Sequence, residues 1–258
     1  MNNLFDVRGK TALVTGGARG LGRMIAEGLV DAGAKVYITS RKRDICEQAA
    51  LEMSERGSCV ALTGDLVTPE AAVALAEQIK ARESRLDVLI NNAGRTWAAP
   101  IQSFPDEAWP AVMGVNVQGP FTLVRELLPL LKAAASAQDP ARVINIGSLA
   151  GSSVEPLQAY SYSASKAAIH HLSRVLAADL AQHHITVNVI APGYFPTQMT
   201  AHIRKDEAET STYLARVPLG RLGRAEDIVG ACIFLTSRAG SYITGITLAI
   251  DGGMLGCR

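Results

Sequence analysis

Seven short runs of β-branched and aliphatic residues recur along the chain, at 11–15, 35–39, 58–63, 87–91, 142–147, 186–191 and 246–251. They are apolar almost throughout rather than alternating with polar residues, the pattern of strands covered on both faces. Stretches of helical length lie between them, at 21–32, 43–56, 69–83, 120–135, 160–182 and 225–237. Strands alternating with helices predict an α/β fold, a doubly wound sheet of seven mostly or wholly parallel strands. No linker, repeat or low-complexity tract breaks the pattern, so one domain is expected over residues 1–258. Hydrophobic residues make up 48% of the chain, enough for the large core such a sheet requires.

Charge and composition exclude several classes. A formal charge of +1 leaves no basic footprint for nucleic acid and no polybasic membrane patch. Gly, Pro or charged residues break every apolar stretch well short of the roughly 18 residues of a membrane span. The start, MNNLFDVRGK, lacks the apolar region of a secretory signal. Cys46, Cys59, Cys232 and Cys257 are far apart and suit reduced thiols better than a metal site or a disulfide framework. The pairs His170–His171 and His183–His184 are adjacent, so their rings point to different helix faces, and no metal site is expected. A cytoplasmic protein is the resulting expectation.

The first chemical signal directly follows the first strand. Residues 15–22 read T-G-G-A-R-G-L-G, with Gly16, Gly17, Ala18, Arg19, Gly20, Leu21 and Gly22 leading into the first helix. Glycine lets a backbone turn tightly against an anion, and the helix N-terminus offers N–H groups and a positive dipole end. Glycine turns are common, but the strand–turn–helix setting predicts dinucleotide binding. The second strand ends T-S-R-K-R, with Ser40 where an NAD enzyme places a ribose-binding acid, and Arg41 just beyond. A hydroxyl beside the Arg41 guanidinium suits a 2′-phosphate, which favours NADP(H). A solvated basic loop is the alternative.

A second signal lies at 162–166, Y-S-A-S-K, where Tyr162 and Lys166 share one helix face. A nearby ammonium favours the phenolate and brings the phenol toward a working acid–base range. Tyr160 has Ala164 four residues on, so it lacks the lysine and is expected to pack near the helix start. Ser148 follows the fifth strand, at the end where open α/β sheets collect ligands, and can hold a substrate oxygen beside Tyr162. N-N-A-G at 91–94 ends another strand, and Asn116 sits inside a helical stretch, where asparagine suggests a special hydrogen bond.

Together these motifs resemble the short-chain dehydrogenase/reductase family, from about residue 8 to 254. The resemblance rests on T-G-x-x-x-G-x-G (15–22), D-L (65–66), N-N-A-G, Asn116, Ser148, Y-x-x-x-K, P-G-x-x-x-T (192–197) and D-G-G (251–253). It implies a single-domain Rossmann fold and an NADP(H)-dependent oxidoreductase that interconverts a carbonyl and a secondary alcohol. By the same resemblance Tyr162 is the general acid/base, Lys166 lowers its pKa and holds the nicotinamide ribose, and Ser148 orients the carbonyl. Asn116 would anchor a water leading from Lys166 to solvent. Asp65 and Leu66 would hold the adenine; Asn92, Ala93 and Gly94 would lie along the adenosine ribose; Phe195 and Thr197 would meet the nicotinamide end. Ser148 precedes Tyr162 by fourteen residues, one more than the commonest family spacing, so the intervening loop is expected to suit a particular substrate.

Residues 194–218 correspond to the family's substrate lid and mix Met199, Ile203, Tyr213 and Leu214 with Arg204, Lys205 and Arg216. An acyl chain on an anionic carrier would suit such a lid; an ordinary amphipathic surface helix is the competing reading. A-A-S-A-Q-D-P-A-R-V-I-N-I-G-S and V-I-A-P-G-Y-F-P-T-Q-M-T-x-H-I are similar to 3-oxoacyl reductases of the rhamnolipid-biosynthesis type. Reduction of a 3-oxoacyl thioester is therefore the first substrate expectation. Sugar or polyol, steroid-like and small-ketone substrates remain alternatives, as does a non-catalytic nucleotide-sensing or scaffold protein. The family resemblance further implies a homotetramer, formed through the Leu- and Ala-rich stretch 120–135 and the apolar C-terminus.

Overall fold

The computed structural model describes residues 4–197, 200 and 207–257, without the side chains of 207–209. Its strands are β1 (Thr11–Val14), β2 (Lys35–Ser40), β3 (Cys59–Thr63), β4 (Val88–Asn91), β5 (Ala141–Ile146), β6 (Ile185–Pro192) and β7 (Thr247–Ile250). They form one sheet in the order β3-β2-β1-β4-β5-β6-β7, and every neighbouring pair is parallel. The long helices are α1 (Gly20–Asp31), α2 (Arg43–Ser54), α3 (Pro69–Lys80), α5 (Gly119–Ala134), α6 (Tyr160–Leu180) and α8 (Ala225–Thr236). Two shorter helices are α4 (Ala108–Met113), which had no counterpart among the expected stretches, and α7 (Glu207–Leu214), which lies within the expected lid.

Period-two geometry explains why the strands read as uninterrupted apolar runs. Successive side chains point to opposite faces, and both faces are covered. Ala12 and Val14 of β1 enter one core with residues of α1, α2 and α8, whereas Leu13 enters a second core with α3, α5 and α6. Both cores follow from one sequence pattern, and together they make a doubly wound, single-domain Rossmann fold. The chain reverses its direction of travel across the sheet between β1 and β4, and at that switch point the strand C-termini diverge into a crevice.

Arg142 is an exception to the apolar rule for β5, being only 1% exposed. Its guanidinium donates to the carbonyls of Leu235 (3.1 Å), Ser237 (2.9 Å) and Pro140, and to Asp139 (3.1 Å). The first two carbonyls lie at the C-terminal end of α8, where a helix has no partners of its own for them. Of the expected lid, Met199, Ile203, Arg204 and Lys205 lie outside the described residues. No helix among the described residues is long and apolar enough to cross a membrane.

Candidate active site

A cavity of about 810 Å³ opens at the C-terminal ends of the strands, running from the glycine turn past Ser148 and Tyr162 to Tyr213. At one end the turn after β1 is shaped by close packing. Gly16 has φ +64°, and a Cβ at Gly22 would stand 2.3 Å from the Asn92 amide nitrogen and 2.4 Å from the Gly16 carbonyl oxygen. Larger residues cannot hold this cradle. Buried Thr15 supports it: its Oγ1 accepts from the N–H groups of Asn92 (2.9 Å) and Ala93 (3.0 Å). The Asn92 amide donates to the carbonyls of Thr15 (2.8 Å) and Gly16 (3.2 Å). Asn92 thus braces the turn with its side chain, and neither this role nor that of Thr15 was foreseen from the sequence.

At α1 the N-terminus carries no side-chain cap and no acidic residue in its first turn, which suits it to an anionic group. Arg19, Ser40 and Arg41 line the same end of the cavity, with Arg19 and Arg41 exposed. Asp65 also lines the cavity, while its Oδ1 accepts from the N–H groups of Leu66 (2.7 Å) and Val67 (3.2 Å). Leu66 is buried in the second core. Gly17 does not line the cavity: it is buried, and a Cβ there would meet Ile38 at 2.7 Å. This makes it a packing residue of the turn, because its outward side is taken by β2. Phe195 is 2% exposed and packs over Gly223 in the first core, so its ring serves the core although the segment borders the cavity. A dinucleotide with an extra phosphate matches these residues in shape and charge.

The other group gathers between β4, β5 and α6. Lys166 is buried and donates from Nζ to the carbonyl of Ile146 at 2.7 Å, and its Nζ lies 5.6 Å from the centre of the Tyr162 ring. Burial lowers Lys166 to about 8. Burial raises the Tyr162 phenol, and a hydrogen bond with Ser148 works in the opposite direction. The Lys166 ammonium is thus turned to a main-chain carbonyl, with the Tyr162 ring beside it.

Asn116 lies in a single π-helical turn, Gly114–Gln118, joining α4 to α5. Its amide nitrogen donates to the Arg95 carbonyl (2.9 Å) and to Ser165 Oγ (2.8 Å), and its Oδ1 accepts from the Arg95 N–H (2.8 Å). Ser165 in turn donates to the Tyr162 carbonyl at 2.7 Å. The π-turn explains the mid-helix asparagine: the widened turn is held open by these bonds and ties β4 to α6. A Cβ on Gly94 would be 3.7 Å from the Asn116 oxygen and 4.0 Å from Lys166 Nζ, so the three meet at one point.

His170, which the sequence reading did not assign to the site, lies beneath it. Its Nε2 accepts from the Ser148 N–H at 3.4 Å, and its Nδ1 pairs with the Ser152 hydroxyl at 3.2 Å. With Nε2 accepting, the network places the ring proton on Nδ1, and the imidazole bridges both ends of the turn that carries Ser148. A Cβ on Gly147 would stand 2.2 Å from Nε2, so glycine makes room for the ring. Burial, then the charges of Lys166 and Arg174, lower His170 to about 4, keeping it neutral. Tyr160 is exposed and meets Phe104 edge-on at 5.2 Å, in the packing role expected for it. No group of three His, Cys, Asp or Glu that could hold a metal occurs among the described residues.

A family model described as enoyl-(acyl carrier protein) reductase matches residues 16–255. The chain is 48% identical over 253 residues to the rhamnolipids biosynthesis 3-oxoacyl-[acyl-carrier-protein] reductase of Pseudomonas aeruginosa, covering 98% of this chain and 99% of that one. This chain is a short-chain dehydrogenase/reductase. A second short-chain relative, 2-dehydro-3-deoxy-D-gluconate 5-dehydrogenase of Bacillus subtilis, is 37% identical over 258 residues, with 99% and 98% covered. Among solved short-chain dehydrogenases, the P. aeruginosa RhlG/NADP active-site complex superposes with a TM-score of 0.95 at 48% identity, covering 98% and 99% of the two chains. A gluconate 5-dehydrogenase from Burkholderia cenocepacia, in complex with NADP and tartrate, superposes at 0.90 with 32% identity, covering 98% and 97%.

Proposed function

We propose that this protein is an NADPH-dependent reductase of 3-oxoacyl thioesters. The observation behind the reading is one cavity that joins the Arg19–Ser40–Arg41 end to the Ser148–Tyr162–Lys166 group. Bound NADPH would supply the hydride, with Gly16, Ala18, Gly20, Leu21 and Gly22 at its phosphates and Asp65, Leu66, Asn92, Ala93 and Gly94 toward its adenosine. Arg19, Ser40 and Arg41 would hold the 2′-phosphate, and Lys166 the nicotinamide ribose, with Thr197 and the Phe195 main chain nearby. Ser148 donates a hydrogen bond to the substrate carbonyl oxygen and fixes its angle. Tyr162, whose phenol is neutral because burial holds it up, gives that oxygen its proton as negative charge develops there. The hydrogen-bonded path through Asn116 and Ser165 fixes the register of α6 against β4 and so the place of the phenol.

The thioester substrate follows the P. aeruginosa relative, and a sugar-acid substrate of the gluconate type is the second reading, favoured by the second relative. Residues 194–218 act as the substrate lid, with Tyr194, Phe195, Thr197, Thr200 and Tyr213 bordering the cavity. We place the protein in the cytoplasm. NADPH oxidation with a 3-oxoacyl thioester is the direct assay; turnover only of keto-sugar acids would replace the first reading by the second. Ser40→Asp/Arg41→Ala should weaken NADPH binding by about 1.5–3 kcal/mol, the worth of a charge-assisted contact, and improve NADH. A wild type that prefers NADH would refute the phosphate site.

Assembly into a homotetramer is part of the same proposal. Phe121 on α5 and Ile246 beside β7 leave apolar surface exposed on the elements expected at the interfaces, and Val175 adds an exposed apolar residue on α6. Light scattering should give about four times the 27.3 kDa chain mass, and a monomer at micromolar concentration would refute it.

A further inference from the structure

Glu155, Tyr194 and Tyr213 line the cavity where the loop after Ser148 meets the segment after β6. The Glu155 side chain is 4% exposed, although it carries a charge. Its Oε1 accepts from the Ser153 hydroxyl at 3.1 Å, and its Oε2 from the Tyr194 hydroxyl and the Arg216 guanidinium, each at 2.9 Å. The other terminal nitrogen of Arg216 donates to the Tyr194 oxygen at 2.8 Å, which closes a ring of three side chains. Tyr213 meets Tyr194 edge-on at 5.3 Å and covers it. Burial, then the Glu155 carboxylate, push the Tyr194 phenol up, so it remains a donor.

We propose that this Glu155–Arg216–Tyr194 knot sets the substrate specificity of the cavity, admitting ketones that are uncharged around the reacting carbon and rejecting keto acids. The inference rests on the proposed function in taking this cavity as the catalytic one. A buried carboxylate is tolerable only when paired and hydrogen-bonded, and here the pairing consumes the charge of Arg216. A substrate carboxylate entering the same space would lose its water, meet Glu155 as a like charge and find the guanidinium already compensated. Rejection by an unpaired charge is a common route to specificity. A thioester presents no charge near its ketone, and the charge of a carrier lies many bonds away. The knot thus favours the thioester reading over the sugar-acid reading.

Matched probes are 3-oxohexanoate and its methyl ester, which share a ketone and a chain and differ by one charge. Wild type should show kcat/KM at least about tenfold higher for the ester, equivalent to about 1.4 kcal/mol. Glu155→Gln keeps an acceptor for Tyr194 but leaves Arg216 uncompensated, so kcat/KM for the acid should rise about tenfold, through KM. Glu155→Gln/Arg216→Met, with a neutral knot, should lose that gain. Should Glu155→Gln fail to fold, Arg216→Met decides the matter alone: its uncompensated Glu155 should push the acid-to-ester ratio below wild type. NADPH titration of each variant checks that the cofactor end is intact. Equal use of both probes by wild type, or an acid-to-ester ratio unmoved in Glu155→Gln, overturns the inference. So does acid turnover by wild type that Arg95→Met abolishes, since Arg95 also lines the cavity. A protein that separates ester from acid as expected but ignores 3-oxoacyl thioesters refutes the substrate proposed above and upholds the knot.

Discussion

Turnover of Tyr162→Phe is expected to fall about 10²–10⁴-fold, the scale of a lost general acid. The ring remains, so packing, folding and NADPH binding should survive. Tyr160→Phe should retain most of the rate. Two residues apart on a helix means side chains about 200° apart, so the two phenols cannot share one site. The structure separates them accordingly: Tyr162 lines the cavity with Ser148 and Lys166, while Tyr160 is exposed against Phe104. Steady-state rates on one reducible ketone, with NADPH fluorescence titration as the binding control, make the comparison. Near-normal turnover in Tyr162→Phe, or collapse only in Tyr160→Phe, would assign the proton to another group.

What the sequence reading could find depended on how locally each feature is encoded. The strands were legible because burial on both faces demands an apolar residue at most positions, and no strand end moved by more than one residue. The glycine turn was legible because Gly16 and Gly22 answer to backbone conformation and to a Cβ clash, both tied to residue type. Asn116 was flagged as anomalous within a helix, but the π-turn that accommodates it depends on Arg95 and Ser165, 21 and 49 residues away. His170 read as one of two adjacent histidines; only the fold brings Gly147 against its ring. Lys166 was matched to Tyr162 by helical spacing, yet spacing cannot show that Nζ turns to the Ile146 carbonyl. The Glu155–Arg216 pair joins two loops and has no periodic signature at all. Residue type marks a chemical group, whereas its partner and its charge state belong to tertiary structure.

Arg142→Met should cost about 3 kcal/mol of stability, the upper end of the penalty for leaving a buried hydrogen-bonding group without its partner. Read locally, Arg142 is merely the polar first residue of an apolar run. In the fold it is almost wholly buried, and burial lowers its pKa without coming near neutrality. Its value lies chiefly in the carbonyl of Leu235, 93 residues away, which ends α8 and would otherwise be unpaired in the interior; the Ser237 carbonyl, 95 residues away, also accepts from the Gly240 N–H at 3.2 Å. Methionine can fill much of the volume but supplies no donor, so the Leu235 carbonyl loses its partner, while Asp139 keeps Lys10 at 2.6 Å. For a chain of this size each kcal/mol is worth roughly 2–4 °C, so melting should fall by about 6 °C or more. Arg142→Lys should recover only part of the loss, because one ammonium cannot span carbonyls that a planar guanidinium reaches at once. Arg43→Met removes a guanidinium whose side chain is 77% exposed and paired with Glu47, and should leave melting unchanged. Calorimetry or circular dichroism on the three variants decides the point. A shift for Arg142→Met within about 2 °C of wild type would mean that water or main-chain movement satisfies the end of α8, and that the buried guanidinium is dispensable.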